Sequence, residues 1–120
     1  MEIRLLRNDY LDIYVMENGL VHVEIGKINK NGYAIRENSY VNSSFLTYMK
    51  YLGIDVTDLD KEIIKYVSDN QLFIRIKRNA SNTGLEYGLH DVITREEQVT
   101  YSNFDQLIYE EVLQQQIGLN

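Results

Sequence analysis

The chain has 120 residues, with no Cys, no Trp, no Pro and two His but ten Tyr, and its eighteen acids and twelve bases leave a formal charge of −6. Hydrophobic residues at 44% and charged residues at 25% exclude wholesale disorder, and the length predicts a single compact domain over residues 1–120 that can bury one core without staples. The missing Cys excludes disulfides, thiolate metal sites and thiol nucleophiles together, while the acidic balance argues against non-specific affinity for nucleic acid or anionic membrane, because phosphate binding is driven by Lys and Arg.

Residues 2–41 read as strands. The segments IRLL, YLDIYVM, LVHVEI and GYAIRE are separated by Asn8-Asp9, Asn18-Gly19 and Asn31-Gly32, residue types that tolerate positive φ. The expected result is an antiparallel meander of up to four strands. Apolar alternation then selects a register at the second turn. A two-residue loop at Asn18-Gly19 sets Val15 against His22 and Ile13 against Glu24. A three-residue loop, Glu17-Asn18-Gly19, sets Val15 against Val21, Ile13 against Val23 and Leu11 against Ile25, so that one face becomes fully apolar. A type I turn with Gly19 in the left-handed position is a favoured hairpin of that length, and this register is the one predicted. The opposite face shows Tyr10, Tyr14 and Met16 beside Leu20 and His22, with Asp12 opposite Glu24. It is either covered by a helix or open to a partner as a half-apolar patch.

The period changes over residues 43–70. Phe45, Tyr48, Met49 and Leu52 fall on one helix face, with Asn42 or Ser43 as cap and Gly53 as stop. A second helix is predicted from about Thr57 to Ser68, with Leu59, Ile63 and Tyr66 or Val67 inward. Strands return at Leu72–Lys77 and, after the loop ASNTG, at Leu85–Thr94 and Gln98–Tyr101. Ser102 is read as the cap of a last helix over 103–116, with Phe104, Leu107, Ile108 and Val112 inward and the terminal GLN fraying. No internal repeat is evident. The predicted class is α+β: an antiparallel β-meander, a helix pair, a second β-hairpin and a C-terminal helix.

Signals for chemistry are sparse. The only side chains that titrate near neutrality are His22 and His90; no Ser lies in a Gly-x-Ser-x-Gly elbow, and the neighbours His90 and Asp91 point to opposite faces of a strand. Asp55, Asp58, Asp60 and Glu62 lack the central Gly and spacing of a calcium loop and suit the positive end of a helix dipole instead. Gly84 and Gly88 match no phosphate-binding fingerprint and read as turn and bulge positions. No catalytic residue, metal site or cofactor is therefore expected, and the chain is read as a non-enzyme. An enzyme whose carboxylates meet only in space is a third and weaker reading.

The function expected is non-enzymatic protein binding, with Tyr10, Tyr14, Met16 and His22 as the partner-binding residues, since Tyr combines area with a hydrogen-bonding tip. Asn, Ile, Lys and Tyr make up 40 of the 120 residues, a bias that AT-rich codons produce. It points to a small accessory protein of a phage or plasmid that inhibits a host factor or defence complex, or to an immunity-type inhibitor. The partner is expected to be a host or cognate protein. The alternative is a winged-helix-like nucleic-acid regulator over 43–95, whose helix pair is followed by a hairpin carrying Arg75, Lys77 and Arg78. MEIRLLRNDY has no apolar core of a secretory signal, and no apolar run nears the roughly 20 residues that span a bilayer. The expected location is the cytoplasm, without membrane contact.

Overall fold

The computed structural model describes residues 4–114, and of residues 40–43 the backbone alone. Six antiparallel strands form one sheet: β1 (Asp9–Val15), β2 (Leu20–Ile28), β3 (Ala34–Ser44), β4 (Leu72–Arg78), β5 (Leu85–Asp91) and β6 (Glu97–Tyr101), in the order β3-β2-β1-β4-β5-β6. Helix α1 (Phe45–Tyr51) and helix α2 (Asp60–Asp69) connect β3 to β4, and α3 (Phe104–Leu107) runs on into a π-helical segment over Ile108–Leu113. This is the predicted α+β arrangement.

The first hairpin takes the three-residue loop. Val15 pairs with Val21, Ile13 with Val23, Leu11 with Ile25, and Gly19 closes the turn at φ +85°, a conformation that side chains resist. The resulting apolar face continues across β4 and β5. Ile13 lies opposite Ile74, Leu11 opposite Ile76 and Ile74 opposite Leu89. Against it pack Phe45, Tyr48 and Met49 of α1, Ile63 and Val67 of α2, and Phe104, Leu107, Ile108 and Val112 of the C-terminal helix, all in one buried cluster. Each fully buried side chain of this kind contributes about 1.5–3 kcal/mol. A hydrogen bond from Phe45 N to the Gly19 carbonyl, 2.7 Å, pins the start of α1 to the first turn, and one from Tyr101 Oη to Glu111, 2.8 Å, ties β6 to the last helix.

The boundaries differ from expectation where local signals compete. Of the segment IRLL, the described residues Arg4–Leu6 form no strand; the meander has three strands, and Leu5 tucks into the core instead. Ser44, not Asn42 or Ser43, caps α1, accepting from Thr47 N. A turn at Thr57–Leu59, with Asp58 at φ +71°, delays α2 to Asp60. Asn103 replaces Ser102 as the cap of α3. Gly88 pairs regularly with Arg75 and Thr100, and the irregularity falls one step later, between Leu89 and His90. The terminal GLN lies outside the described residues.

No sequence repeat accompanies it, but the element order does repeat: three strands then helices, twice, joined through the antiparallel pair β1–β4. Asp12 and Arg75 are each the fourth residue of a seven-residue strand, and they lie directly opposite one another at the centre of the sheet.

Candidate functional site: the helix-free face of the sheet

Every helix named above packs on the Ile13 face. The other face is closed by its own side chains, arranged in rows that the register dictates. The central row runs Glu24, Asp12, Arg75, Gly88, Thr100 from β2 to β6. Beside it, Tyr14 pairs with His22 and Phe73 with His90, and the Tyr14 and Phe73 rings stack at 4.6 Å across β1 and β4.

Asp12 is 2% exposed, and a carboxylate so placed requires a partner. Arg75 supplies it with a fork: Nε and Nη2 donate to the two carboxylate oxygens at 2.7 and 2.8 Å. Burial pushes the Asp12 carboxyl up from its ordinary value while Arg75 pulls it back; Arg75 is raised, because Asp12 outweighs the burial that works against its charge. The guanidinium also lies over the Tyr10 ring at 4.7 Å and near Phe73 at 5.6 Å, a planar stack that Lys cannot make.

A second arginine arrives from the β5–β6 turn. Arg95 adopts φ +69°. Its N–H donates to the Asp91 carbonyl at 2.8 Å and its carbonyl accepts from His90 Nδ1 at 3.0 Å, and these contacts hold a backbone conformation that non-Gly residues seldom take. Its guanidinium lies 5.4 Å from the Tyr14 ring centre and 5.3 Å from that of Phe73, and hydrogen-bonds the Tyr14 hydroxyl. Tyr14, His90 (its ring centre 5.2 Å from that of Phe73), Arg75 and Arg95 together reduce Phe73 to 0% exposure with no helix above it. Burial, with Asp12 nearby, pushes the Tyr14 phenol up to about 12 against the opposing hydrogen bond from Arg95, so Tyr14 stays a neutral donor.

His90 is 5% exposed, and burial holds its imidazole below the usual range, the Arg95 carbonyl pulling the other way. With Nδ1–H committed to that carbonyl, Nε2 presents a lone pair. Among the described residues neither Nε2 nor Thr100 Oγ1 has a hydrogen-bond partner. Both flank Gly88, where a Cβ would stand 3.1 Å from Thr100 Oγ1 and 3.4 Å from His90 Nε2.

Above this layer lies a cleft of about 600 Å³ lined by Tyr10, Asp12, Tyr14, Glu24, Arg75 and Arg95, with Gly32, Tyr33, Ala34 and Arg36 of the β2–β3 hairpin as its other wall. Gly26 shapes that wall. Any Cβ there would fall 2.1 Å from the Ile35 carbonyl oxygen, so the strands approach at a register shift that places Arg36 opposite Gly26. Glu24 accepts from Tyr14, His22 and Arg36, each at 3.3–3.4 Å.

The four residues expected to bind a partner are thus dispersed. Tyr14 is half-buried and lines the cleft; His22 is half-buried beside it. Tyr10 is not exposed as expected: it is 2% accessible, covered by Arg75 and not by a helix. Met16 is exposed but lines a separate depression with Val92 and Ile93, and Asp12, expected at the rim, is buried. Arg36, Arg95 and Phe73 were not anticipated. Nor do Arg75, Lys77 and Arg78 form one basic edge. β4 is a central strand, Arg75 is engaged by Asp12, and Arg78 donates to the Leu5 carbonyl on the core side.

Among the described residues no three His, Asp or Glu side chains converge as a metal ion requires, and no helix is long and apolar enough to cross a membrane. Comparison with protein-family models, with curated proteins and with solved structures finds no match to this chain.

Proposed function

We propose that the chain is a non-enzymatic protein-binding module that engages its partner through the helix-free face of the sheet. In this reading it is an inhibitor or immunity-type accessory protein of a phage or plasmid, acting on a host or cognate protein. The observation that carries the reading is the cleft itself: Tyr10, Tyr14, Tyr33 and three arginines line a concavity on the one sheet face left without helices. Tyr and Arg are the side chains most often found as binding anchors, and here Tyr14, Arg75 and Arg95 are held by ring stacking and cation–π contacts, so little of their rotamer freedom remains to be lost on association.

The test is capture of the partner with wild-type protein, followed by calorimetric titration of variants. Tyr33→Ala is expected to weaken the complex by about 1–3 kcal/mol, and exposed substitutions on α1 or α2 are expected to leave it unchanged. A complex that survives every cleft substitution but is lost on altering the helices would place the binding surface elsewhere and defeat the reading.

A further inference from the structure

We propose that the cleft is an acceptor for a single carboxylate, an Asp or Glu on an acidic segment of the protein partner, seated between Arg36 and Arg95; this rests on the protein-binding reading above.

The argument is one of unspent donors. Arg75 has its fork filled by Asp12. Glu24 is divided among three donors at 3.3–3.4 Å, too long for any to be a strong charge-assisted bond. Arg36 therefore keeps most of its donor capacity, and it is the more exposed member of its pair, at 59% against 15% for Glu24. Arg95 has no carboxylate within ion-pair distance among the described residues; its cation rests on two aromatic faces and a phenol oxygen. The lining holds Arg36, Arg75 and Arg95 against Asp12 and Glu24, a local excess of one positive charge on a chain of net −6.

That arithmetic selects the ligand class. One surplus charge matches one carboxylate, whereas a nucleic acid brings a run of phosphates into the repulsive field of the whole chain. Arginine's planar fork matches a carboxylate in two parallel bonds. The phenol of Tyr33 stands in the same lining as a further donor. Arg95 is also pre-positioned, since His90 and Asp91 hold its backbone and Tyr14 its head group, so seating a carboxylate orders little that is not already ordered.

Tyr33 lies at the cleft wall and is 69% exposed, which suits it to carry a photo-crosslinker. Benzoylphenylalanine at position 33, and at position 109 on the C-terminal helix as control, would be irradiated in extract of the native host and the adducts mapped by mass spectrometry. The expected result is an adduct from position 33 on a protein segment carrying Asp or Glu, with yield falling about tenfold or more in the Arg95→Gln background and partly restored by Arg95→Lys, each variant being irradiated well below its own melting temperature because Arg95 also covers Phe73. An adduct on a segment without acidic residues, or a yield indifferent to Arg95→Gln, overturns the carboxylate assignment while the protein-binding reading stands. Adducts to nucleic acid, to a second copy of this chain, or to protein from position 109 alone overturn both.

Discussion

The two faces of the sheet solve the same problem with different materials. On one, Leu11, Ile13, Val21, Val23, Ile74 and Ile76 are covered by three helical elements, and burial follows from hydrophobic area alone. On the other, Phe73 reaches the same 0% exposure as Ile13, but under two arginines, a tyrosine and a histidine. The first is tolerant of which apolar side chain fills it. The second depends on ion-pair geometry and on polar groups whose loss leaves others unmatched, yet it keeps donors at its outer surface. A face closed by arginine and tyrosine keeps charged and hydrogen-bonding groups at its surface.

The largest effect should come from the helix side. Ile13→Asp puts a charge at a 0% exposed position with no partner across the strand, a cost of several kcal/mol, and the domain should lose its cooperative unfolding transition. Asp12→Ala, one residue away on the other face, tests whether that face is a core in its own right. It strands the Arg75 guanidinium, 13% exposed, and about 3–5 kcal/mol should be lost in chemical denaturation. A double replacement, Asp12→Leu with Arg75→Met, should recover much of this. A loss under 1 kcal/mol for Asp12→Ala would mean that the pair is a surface ion pair and that the contrast between the faces is overstated.

Acid should distinguish the faces next. His90 is held neutral by burial, its folded pKa below the unfolded value of 6.5, with Arg75, Asp12 and Glu97 as the charged groups around it. An unfolded His therefore takes up protons first as the pH falls. Its contribution is fully present above about pH 6.5 and is lost as the pH drops through the folded pKa, at up to about 1.4 kcal/mol per pH unit. His90→Gln should remove that part of the slope below pH 6.5, seen in urea midpoints at stepped pH. An unchanged slope would assign the acid sensitivity to carboxylates alone.

The helix face was legible in the sequence because its information is local. Alternation in LDIYV and LVHVEI fixed which residues share a face, and only one loop length made that face uniform. The inward positions of α1 and of the C-terminal helix followed from spacing in the same way. The polar face was not legible, for the opposite reason. Asp12 and Arg75 are 63 residues apart, and no period records that β4 lies beside β1. One signal was available: Asp12 stands between Leu11 and Ile13, and Arg75 between Ile74 and Ile76, two charges of opposite sign each flanked by apolar residues mid-strand. Such charges are buried only when paired, which pointed to each other as partners. The burial of Tyr10 was missed with them, because the expectation considered only helices as covers, and an arginine plane can cover a ring. Arg95 was hidden further, in a turn whose positive φ depends on a hydrogen bond from His90.

The smallest effect on stability carries the most about the comparison. Tyr33 and Tyr109 are both exposed, at 69% and 57%, one beside the arginine-lined cleft and one on the C-terminal helix. Replacing either with Ser removes a side chain that covers little of the core, so each variant should melt within about 0.5 kcal/mol of the parent. Stability alone cannot tell them apart. Partner binding should: Tyr33→Ser loses an anchor at the cleft wall and should raise the dissociation constant about fivefold or more, while Tyr109→Ser leaves it where it was. The pair is informative because both are exposed tyrosines whose loss costs the fold little, and they lie on different faces. Equal losses from both would mean that the partner wraps the domain. A loss from Tyr109→Ser alone would move the working surface to the helices, and the polar face would then be a second core that happens to lack a roof.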